Sequence, residues 1–224
     1  MDGVLLFNKP ILWTSHDAVD FFRRRLGERR IGHAGTLDPM ATGLLVLLVG
    51  KATRLSGSLS SLDKDYYGSL TLGLTTDTQD LEGRITSVSD GGPVRQEDVR
   101  EAFGAFCGAQ LQAPPAFSAA KKAGKKMYEW ARSGVTVEAE PRRVEIAQFR
   151  LLGFSFPEAY FFISCSKGTY VRTLCEAVGR KLGTGAVMSA LVRTRVGNFR
   201  LANALSARDA ASLGAGELAR RLIR

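Results

Sequence analysis

The chain has 224 residues, of which 45% are hydrophobic and 24% charged, and its 31 Lys and Arg exceed its 22 Asp and Glu by a formal charge of +9. These values are typical of a globular domain with a sizeable core and exclude a disordered chain. No run reaches the roughly 20 apolar residues of a membrane-spanning helix, and the first residues lack a signal-peptide pattern. We therefore expect a cytoplasmic protein without a membrane partner.

The residue types that usually hold metals and cofactors are scarce. Cys107, Cys165 and Cys175 show no CxxC spacing, and the sequence has two histidines, His16 and His33. It also lacks the phosphate-binding loop, the dinucleotide-binding glycine motif and the serine-hydrolase elbow. We therefore expect neither a zinc site nor a disulfide scaffold but reduced, buried thiols, and the missing motifs exclude the commonest nucleotide-dependent enzymes and serine hydrolases.

Charge is distributed unevenly along the sequence. Residues 61–112 carry a net charge of −5, whereas residues 113–150 carry +4 and residues 151–200 carry +5. Separate basic tracts attract polyanions, and nucleic acid is the usual one. The alternative is a soluble protein that is merely basic.

The first half of the sequence predicts strands around one amphipathic helix. A short strand over residues 4–7 precedes a helix that we expect to begin at Ser15, as its N-cap, and to end at Gly27. Residues 31–43 are rich in glycine and turn formers, which predicts a loop in front of a buried strand over residues 44–49. Further strands are predicted over residues 64–74 and 84–88.

The second half predicts a mixture of helices and strands. Apolar spacing indicates a helix over residues 96–107, and a basic loop over residues 121–126 leads into a short helix around residues 128–130. The remaining predicted elements are strands over 135–137, 144–154 and 160–165, a helix over 171–182, a strand over 191–199 and a helix capped by Ser206 and Asp209. Strands and helices do not alternate regularly, so the pattern favours an α+β fold over a doubly wound one.

Asp38 is the candidate for a reactive carboxylate. It lies in a glycine-flanked loop before a buried strand, and Pro39 restricts its backbone. A carboxylate held in this way can act as a nucleophile or a general base. An Asp-Pro pair in a loop is also a common turn former, and the residue types alone leave both interpretations open.

Several motifs follow one another in a characteristic order. Residues 32–45 read GHAGTLDPMATGLL, and the others are KPILWTS at 9–15, KDY at 64–66, TDTQD at 76–80, PPAFSAAKKAGKKMY at 114–128, SKGTYVR at 166–172 and LVR at 191–193. Over residues 3–200 this order resembles the TruB family, the tRNA pseudouridine-55 synthases, whose GTLDPxAxGxL segment contains the catalytic aspartate. Leu12 and Phe117 depart from the glycine and tyrosine that are usual in the family.

The resemblance implies a fold and a reaction. The fold would be the pseudouridine synthase catalytic fold, with a mixed, largely antiparallel sheet and a central active-site cleft. The enzyme would be an isomerase that converts uridine to pseudouridine in the T-arm loop of tRNA without cofactor or metal. Two alternatives are a pseudouridine synthase for another RNA, such as ribosomal RNA, and a non-catalytic RNA-binding or RNA-folding module.

The resemblance also implies roles for individual residues. Asp38 would be the essential carboxylate, which either adds covalently to the sugar or base or removes a ribose proton. Tyr66 would stack on the flipped uracil, Arg172 would pair with Asp38, and His33 would fill the space that the base leaves. Tyr170 and Leu191 would line the pocket. The alternatives are a core aromatic for Tyr66, a surface cation for Arg172 and a turn-bonded side chain for His33.

The basic loop is the candidate RNA contact. Its composition is that of a mobile segment that closes on RNA phosphates, and the lysines concerned are Lys121, Lys122, Lys125 and Lys126. A solvated lysine face is the alternative. Guide-RNA-dependent relatives lack this insert, so the resemblance favours a stand-alone tRNA enzyme that needs no guide RNA. We also expect a monomer.

The predicted domain organisation is simple. We expect a catalytic domain over residues 1–200, with the RNA-closing loop within residues 113–143. Residues 201–224 would form a short helical extension, which is too short for the C-terminal PUA-like domain that many family members carry.

Overall fold

The computed structural model describes residues 1–90, 92–135, 137 and 139–223. Its contacts divide the chain into two compact units, which we call unit 1 (Met1–Tyr67 with Leu191–Arg224) and unit 2 (Gly68–Ala190). No helix in the described ranges combines the length and the apolar character needed to span a membrane.

The elements follow in chain order. The first part of unit 1 contains β1 (Gly3–Lys9), α1 (Ser15–Leu26), β2 (Ile31–Ala34), β3 (Thr42–Val49), a 3-10 helix (Gly50–Leu55), α2 (Ser56–Ser60) and the first residues of β4 (Lys64–Leu72). Unit 2 continues with β5 (Leu74–Thr76), β6 (Ile85–Val88), α3 (Gln96–Gly104), β7 (Gly108–Gln112), β8 (Lys121–Lys122), β9 (Lys125–Lys126), α4 (Met127–Arg132), β10 (Arg142–Ser155), β11 (Glu158–Cys165), α5 (Val171–Lys181) and the first half of β12 (Ala186–Val196). The chain returns to unit 1 with β13 (Phe199–Arg200), a 3-10 helix (Leu201–Asn203), α6 (Ala207–Ser212) and α7 (Ala215–Arg220).

The sheet of unit 1 is built around β3, which is buried along almost its whole length. This strand pairs antiparallel with β1 and β2, and its first residues pair parallel with β12 at Val192 and Arg193. The core on one face consists of buried apolar side chains from these strands, namely Val4, Leu6, Ala34, Leu44, Val46, Leu48 and Val196. A strand buried on both faces is continuously apolar, and the sequence predicted this for residues 44–49.

In unit 2 the strands β7, β10 and β11 form an antiparallel ladder. The helix α3 packs Phe103 face to face on Phe149 of β10, with ring centroids 4.3 Å apart, and edge-on to Phe161 of β11. Offset and edge-to-face aromatic pairs of this kind stabilise a core beyond their buried area. The predicted α+β class and the mixed, largely antiparallel sheet are confirmed.

Two local predictions for unit 1 are wrong. Residues 31–34 form β2 rather than a loop, because they pair with residues 46–49 of β3 and this pairing outweighs their glycine content. The N-cap of α1 is Thr14 rather than Ser15: the Asp17 amide donates to the Thr14 hydroxyl (3.0 Å), and the Thr14 amide donates to the Asp17 carboxylate (2.7 Å).

The other predictions concern the later part of the chain. Val135 and Val137 lie outside any strand, and Thr136 between them falls outside the described residues. The C-terminal helices are present, and Ser206 caps α6 as predicted. Beyond them, the Ile223 amide donates to the Val4 carbonyl (2.9 Å), so the end of the chain pairs with β1 in unit 1. The predicted boundary at residue 200 remains a prediction.

Candidate active site

Asp38 lies half-buried in the loop 35–41, which connects β2 to β3. Its neighbours Leu37, Met40 and Ala41 are buried and anchor the loop in unit 1. The Ser15 hydroxyl, which does not cap α1, accepts a hydrogen bond from the Leu37 amide (2.9 Å) and lies 3.2 Å from the Leu37 carbonyl. The backbone next to Asp38 is therefore attached to the start of α1.

Arg193 holds the loop from the other side. Its side chain is 1% exposed and donates to the carbonyls of Gly35 (3.0 Å), Thr36 (3.4 Å) and Leu44 (2.8 Å). The planar guanidinium can serve several acceptors in fixed directions, which an ammonium cannot do. One buried cation thus links the start of the Asp38 loop to the strand that follows it.

Lys9 supplies a second buried cation. Its ammonium donates to the carbonyls of Pro10 (2.9 Å), Trp13 (2.6 Å) and Pro39 (3.2 Å), and the side chain is 0% exposed. A buried charge is tolerated only where such hydrogen bonds replace water. Lys9 therefore ties the turn that precedes α1 to the residue after Asp38.

Leu12 shows the structural consequence of a departure from the family pattern. It adopts φ 68°, in the left-handed region, and its amide donates to the Pro39 carbonyl (2.9 Å). Glycine adopts this conformation without steric cost, whereas a side chain with a Cβ pays about 1–2 kcal/mol. The usual glycine thus matches the backbone of this turn, and the chain accepts strain here beside the Asp38 loop.

His33 lies near the end of β2, two residues before the start of the Asp38 loop. Burial lowers the pKa of its imidazole below the ordinary 6.5, and the positive charges of Arg193 and His16 lower this pKa further. Its buried Nδ1 has no hydrogen-bond partner among the described residues. The imidazole is therefore neutral at neutral pH, and its Nδ1 is not bonded to its own turn.

The lowered pKa of His33 predicts a pH dependence of stability. Below pH 6.5 the unfolded chain binds a proton at this residue that the folded chain binds only at lower pH, so the free energy of unfolding should fall as the pH drops from 7.5 towards 5.5. In His33→Gln this fall should be smaller. Urea denaturation of both proteins at several pH values measures the difference.

His16 provides the control for this prediction because its imidazole is largely exposed, beside Asp20 (3.4 Å). His16→Gln should keep most of the wild-type pH dependence. An equal fall in wild type and His33→Gln would contradict the prediction.

Tyr66 and Leu191 also lie in unit 1, and both are buried, at 8% and 6% exposure. Tyr66 belongs to the start of β4, and the Thr194 hydroxyl of β12 donates to the carbonyl of the preceding residue, Asp65 (3.3 Å). Leu191 stands two residues before Arg193 in β12, so both side chains point to the same face of that strand. Unit 1 thus holds Asp38, His33, Tyr66 and Leu191 on elements that share hydrogen bonds.

Arg172 and Tyr170 lie in unit 2, at the start of α5. The Arg172 side chain is buried, forms an ion pair with Asp80 (3.5 Å) and donates to the Phe117 carbonyl. Tyr170 precedes α5, and its backbone exchanges two hydrogen bonds with the Gln112 side chain (2.8 and 3.1 Å). The alternative of a surface cation for Arg172 is wrong, and its predicted pairing with Asp38 remains a prediction.

The four candidate RNA-binding lysines form a hairpin rather than an irregular loop. Lys121 pairs with Lys126 and Lys122 with Lys125, and all four are exposed. The two-residue turn needs positive φ at both positions, which Ala123 (φ 50°) and Gly124 (φ 82°) adopt. The predicted short helix follows as α4, and the ammonium of Lys125 lies 4.7 Å from the centroid of the Trp130 ring.

Sequence reasoning missed three residues that support Asp38, namely Ser15, Lys9 and Arg193. Each belongs to one of the recognised motifs, but no local pattern indicates that its side chain bonds the loop 35–41. Membership of a motif was the only signal. It marks the residue without stating what the residue contacts.

The fold is similar to that of solved structures. One is described as a crystal structure of a Cbf5–Nop10–Gar1 complex, with a TM-score of 0.73 and 28% sequence identity over 92% of this chain and 53% of that chain. Another is an H/ACA RNP bound to a substrate RNA that contains 2′-deoxyuridine, with a TM-score of 0.69 and 25% identity over 92% and 51% of the two chains. The chain spans about half the length of these proteins.

Family models and curated relatives define the class more closely. The model of the TruB family pseudouridylate synthase N-terminal domain matches residues 23–171, and that of the tRNA pseudouridylate synthase B C-terminal domain matches residues 172–217. A protein named tRNA pseudouridine synthase B from Opitutus terrae is 48% identical over 100% of this chain and 92% of its own length. A protein with the same name from Protochlamydia amoebophila is 48% identical over 92% of this chain and 78% of its own length.

These matches, with the fold, define a pseudouridine synthase, an isomerase of RNA. The chain belongs to the TruB family.

Proposed function

We propose that the chain isomerises uridine to pseudouridine at position 55, in the T-arm loop of tRNA. It acts as a cytoplasmic monomer that needs no guide RNA. The observation that carries the proposal is a half-buried Asp38 on a loop held by Ser15 and by the buried cations Lys9 and Arg193. The name that its curated relatives share, tRNA pseudouridine synthase B, supports tRNA as the substrate.

The chemistry of the reaction explains why one fixed carboxylate is the central group. Isomerisation breaks the bond between N1 of uracil and C1′ of ribose and forms a bond between C5 and C1′. The hydrogen on C5 leaves as a proton and N1 gains one, so there is no net oxidation or reduction. Whether Asp38 attacks as a nucleophile or removes a ribose proton, it must be ionised and aimed at the nucleotide.

Other residues would present the nucleotide to Asp38. The target base must leave its stack to reach the half-buried carboxylate, and Tyr66 offers an aromatic ring for stacking on it. Neutral His33 can occupy the space that the base leaves without repelling cations nearby. Arg172, already held by Asp80, would orient the ionised form of Asp38, and Tyr170 and Leu191 would line the pocket.

Tritium release tests the proposed function. Purified protein is incubated with a tRNA transcript that carries tritium at C5 of its uridines, and the tritium released to water is counted. One equivalent per tRNA is expected, and none from a transcript with cytidine at position 55. Release only from ribosomal RNA would instead indicate another target, and release from neither RNA would indicate a binding module.

The lysine hairpin should contribute electrostatic affinity for tRNA. Lys121 and Lys126 are directly paired and so share one face of the hairpin. Replacing both with alanine should weaken tRNA binding and reduce the slope of log Kd against log salt by about 1–2, because each phosphate contact releases close to one counterion. Filter binding at several salt concentrations measures the slope.

Two exposed cations on α5 in the same unit, Arg180 and Lys181, allow a matched control. Their replacement with alanine removes the same charge without touching the hairpin. An equal loss of slope in both double variants would show that only total charge matters, and would contradict a specific role of the hairpin.

A further inference from the structure

The turn 76–80 of unit 2 contains another residue in the left-handed region, besides Leu12 and Ala123. Gln79 adopts φ 67°, its amide donates to the Thr76 carbonyl (3.3 Å), and its carbonyl accepts from the Met188 amide (3.1 Å). A residue other than glycine keeps this conformation only where surrounding contacts determine it, and such residues are concentrated at functional sites. The contacts of the Gln79 side chain indicate which part of unit 2 this backbone conformation serves.

The Gln79 side-chain amide joins the turn to α5. The Thr173 hydroxyl donates to Gln79 Oε1 (2.7 Å), and Gln79 Nε2 donates to the Glu176 carboxylate (2.8 Å). These two residues are three apart and therefore lie on the same face of α5. Only a carboxamide side chain offers one acceptor and one donor side by side, so the pair of contacts requires the amide of glutamine at this reach.

The next residue joins the same turn to the same helix. Asp80 is 2% exposed, accepts from the Thr78 hydroxyl (2.5 Å) and the Glu82 amide (3.1 Å), and forms the ion pair with Arg172. Gln79 and Asp80 together therefore contact α5 at three residues near the start of the helix, namely Arg172, Thr173 and Glu176. The Asp80–Arg172 distance of 3.5 Å is long for a charge-assisted hydrogen bond, so this ion pair does not fix the helix by itself.

We propose that Gln79 is a positioning residue for the isomerase reaction. Its amide sets the rotation of the first turn of α5 and, through it, the direction of the Arg172 guanidinium. The inference deepens the proposed function and rests on it, because it gives Arg172 a role in catalysis. Displacements of about 1 Å at a catalytic centre can cost about a hundredfold in rate, so a small rotation of α5 is sufficient to matter.

Steady-state kinetics of tritium release test the proposal. Gln79→Met keeps the length of the side chain and removes both hydrogen bonds, so kcat should fall about ten- to a hundredfold while KM for tRNA changes less than twofold. Gln79→Gly should show the same loss of kcat although it removes the backbone strain. A wild-type kcat in either variant would overturn the proposal.

A double-mutant cycle distinguishes the loss of the hydrogen bonds between Gln79 and α5 from a general destabilisation of unit 2. Thr173→Val removes one of the two hydrogen bonds, and Gln79→Met with Thr173→Val should be no slower than Gln79→Met alone. If the losses in kcat of the two single variants multiply in the double variant, the two residues act independently, which would overturn the proposal. Arg180→Met is the matched control: it removes the other partner of Glu176 (3.1 Å) and should leave kcat unchanged.

A measurement without substrate distinguishes failure of this inference from failure of the proposed function. Solvent exchange of the Arg172 Nε–H is followed by nuclear magnetic resonance, with the signal assigned from its loss in Arg172→Lys. Exchange should be at least several times faster in Gln79→Met than in wild type. Equal exchange rates in the two proteins would overturn the inference that Gln79 positions Arg172. A wild-type protein that is inactive on tRNA would overturn only the proposed function.

Discussion

Asp38→Asn is expected to lower kcat for tritium release from tRNA by about 10³-fold or more. Asparagine has the shape of aspartate but carries no charge, and the hydrogen bond from the Ala41 amide to the carbonyl of residue 38 (3.1 Å) does not depend on the side chain. Both routes open to Asp38 require an ionised carboxylate. Asp38→Glu should retain the charge and misplace it by about 1 Å, which predicts a loss of about a hundredfold.

The Asp38 variants should still bind tRNA with affinity close to that of the wild type, because the substitution removes no cation. Asp2 provides a matched control: it is a carboxylate of unit 1 whose pKa is lowered, chiefly by a hydrogen bond from the Lys51 amide, and it has no bond to the Asp38 loop among the described residues. Asp2→Asn should leave kcat unchanged. Turnover by Asp38→Asn within tenfold of wild type would contradict the assignment of the carboxylate.

Arg193→Met is expected to reduce both stability and turnover. Methionine fills a similar volume but leaves the carbonyls of Gly35, Thr36 and Leu44 without their donor. An unsatisfied buried polar group costs about 1–3 kcal/mol, so the free energy of unfolding should fall by about 3 kcal/mol. With the loop no longer held, kcat should fall by about a hundredfold.

Urea denaturation and tritium release, at a temperature well below the unfolding transition, measure the two effects of Arg193→Met separately. Arg193→Lys should lie between wild type and Arg193→Met, because one ammonium cannot reach all three carbonyls. Arg200→Met, at an exposed arginine of unit 1, should match wild type in both measurements. A destabilised Arg193→Met with wild-type kcat would show that the arginine supports the fold but not the placement of Asp38.

Local sequence patterns predicted much of the secondary structure. The apolar faces of α1, α3 and α5, the buried β3 and the Ser206 cap all depend on residues a few positions apart, and the structure contains them. Two segments that the sequence predicted as loops form strands, for different reasons. Residues 31–34 became a strand through pairing with residues 46–49, and the lysine segment became a hairpin because Ala123 joins Gly124 at positive φ.

The amino-acid sequence by itself determined the family, the α+β class and the identity of the candidate carboxylate, because the motifs are contiguous and their order is readable. The tertiary structure alone showed what holds that carboxylate. Arg193 is 158 residues from Gly35, and Lys9 is 30 from Pro39, yet each pair is hydrogen-bonded. Contacts at such separations depend on the path of the whole backbone, and no local preference of either residue specifies them.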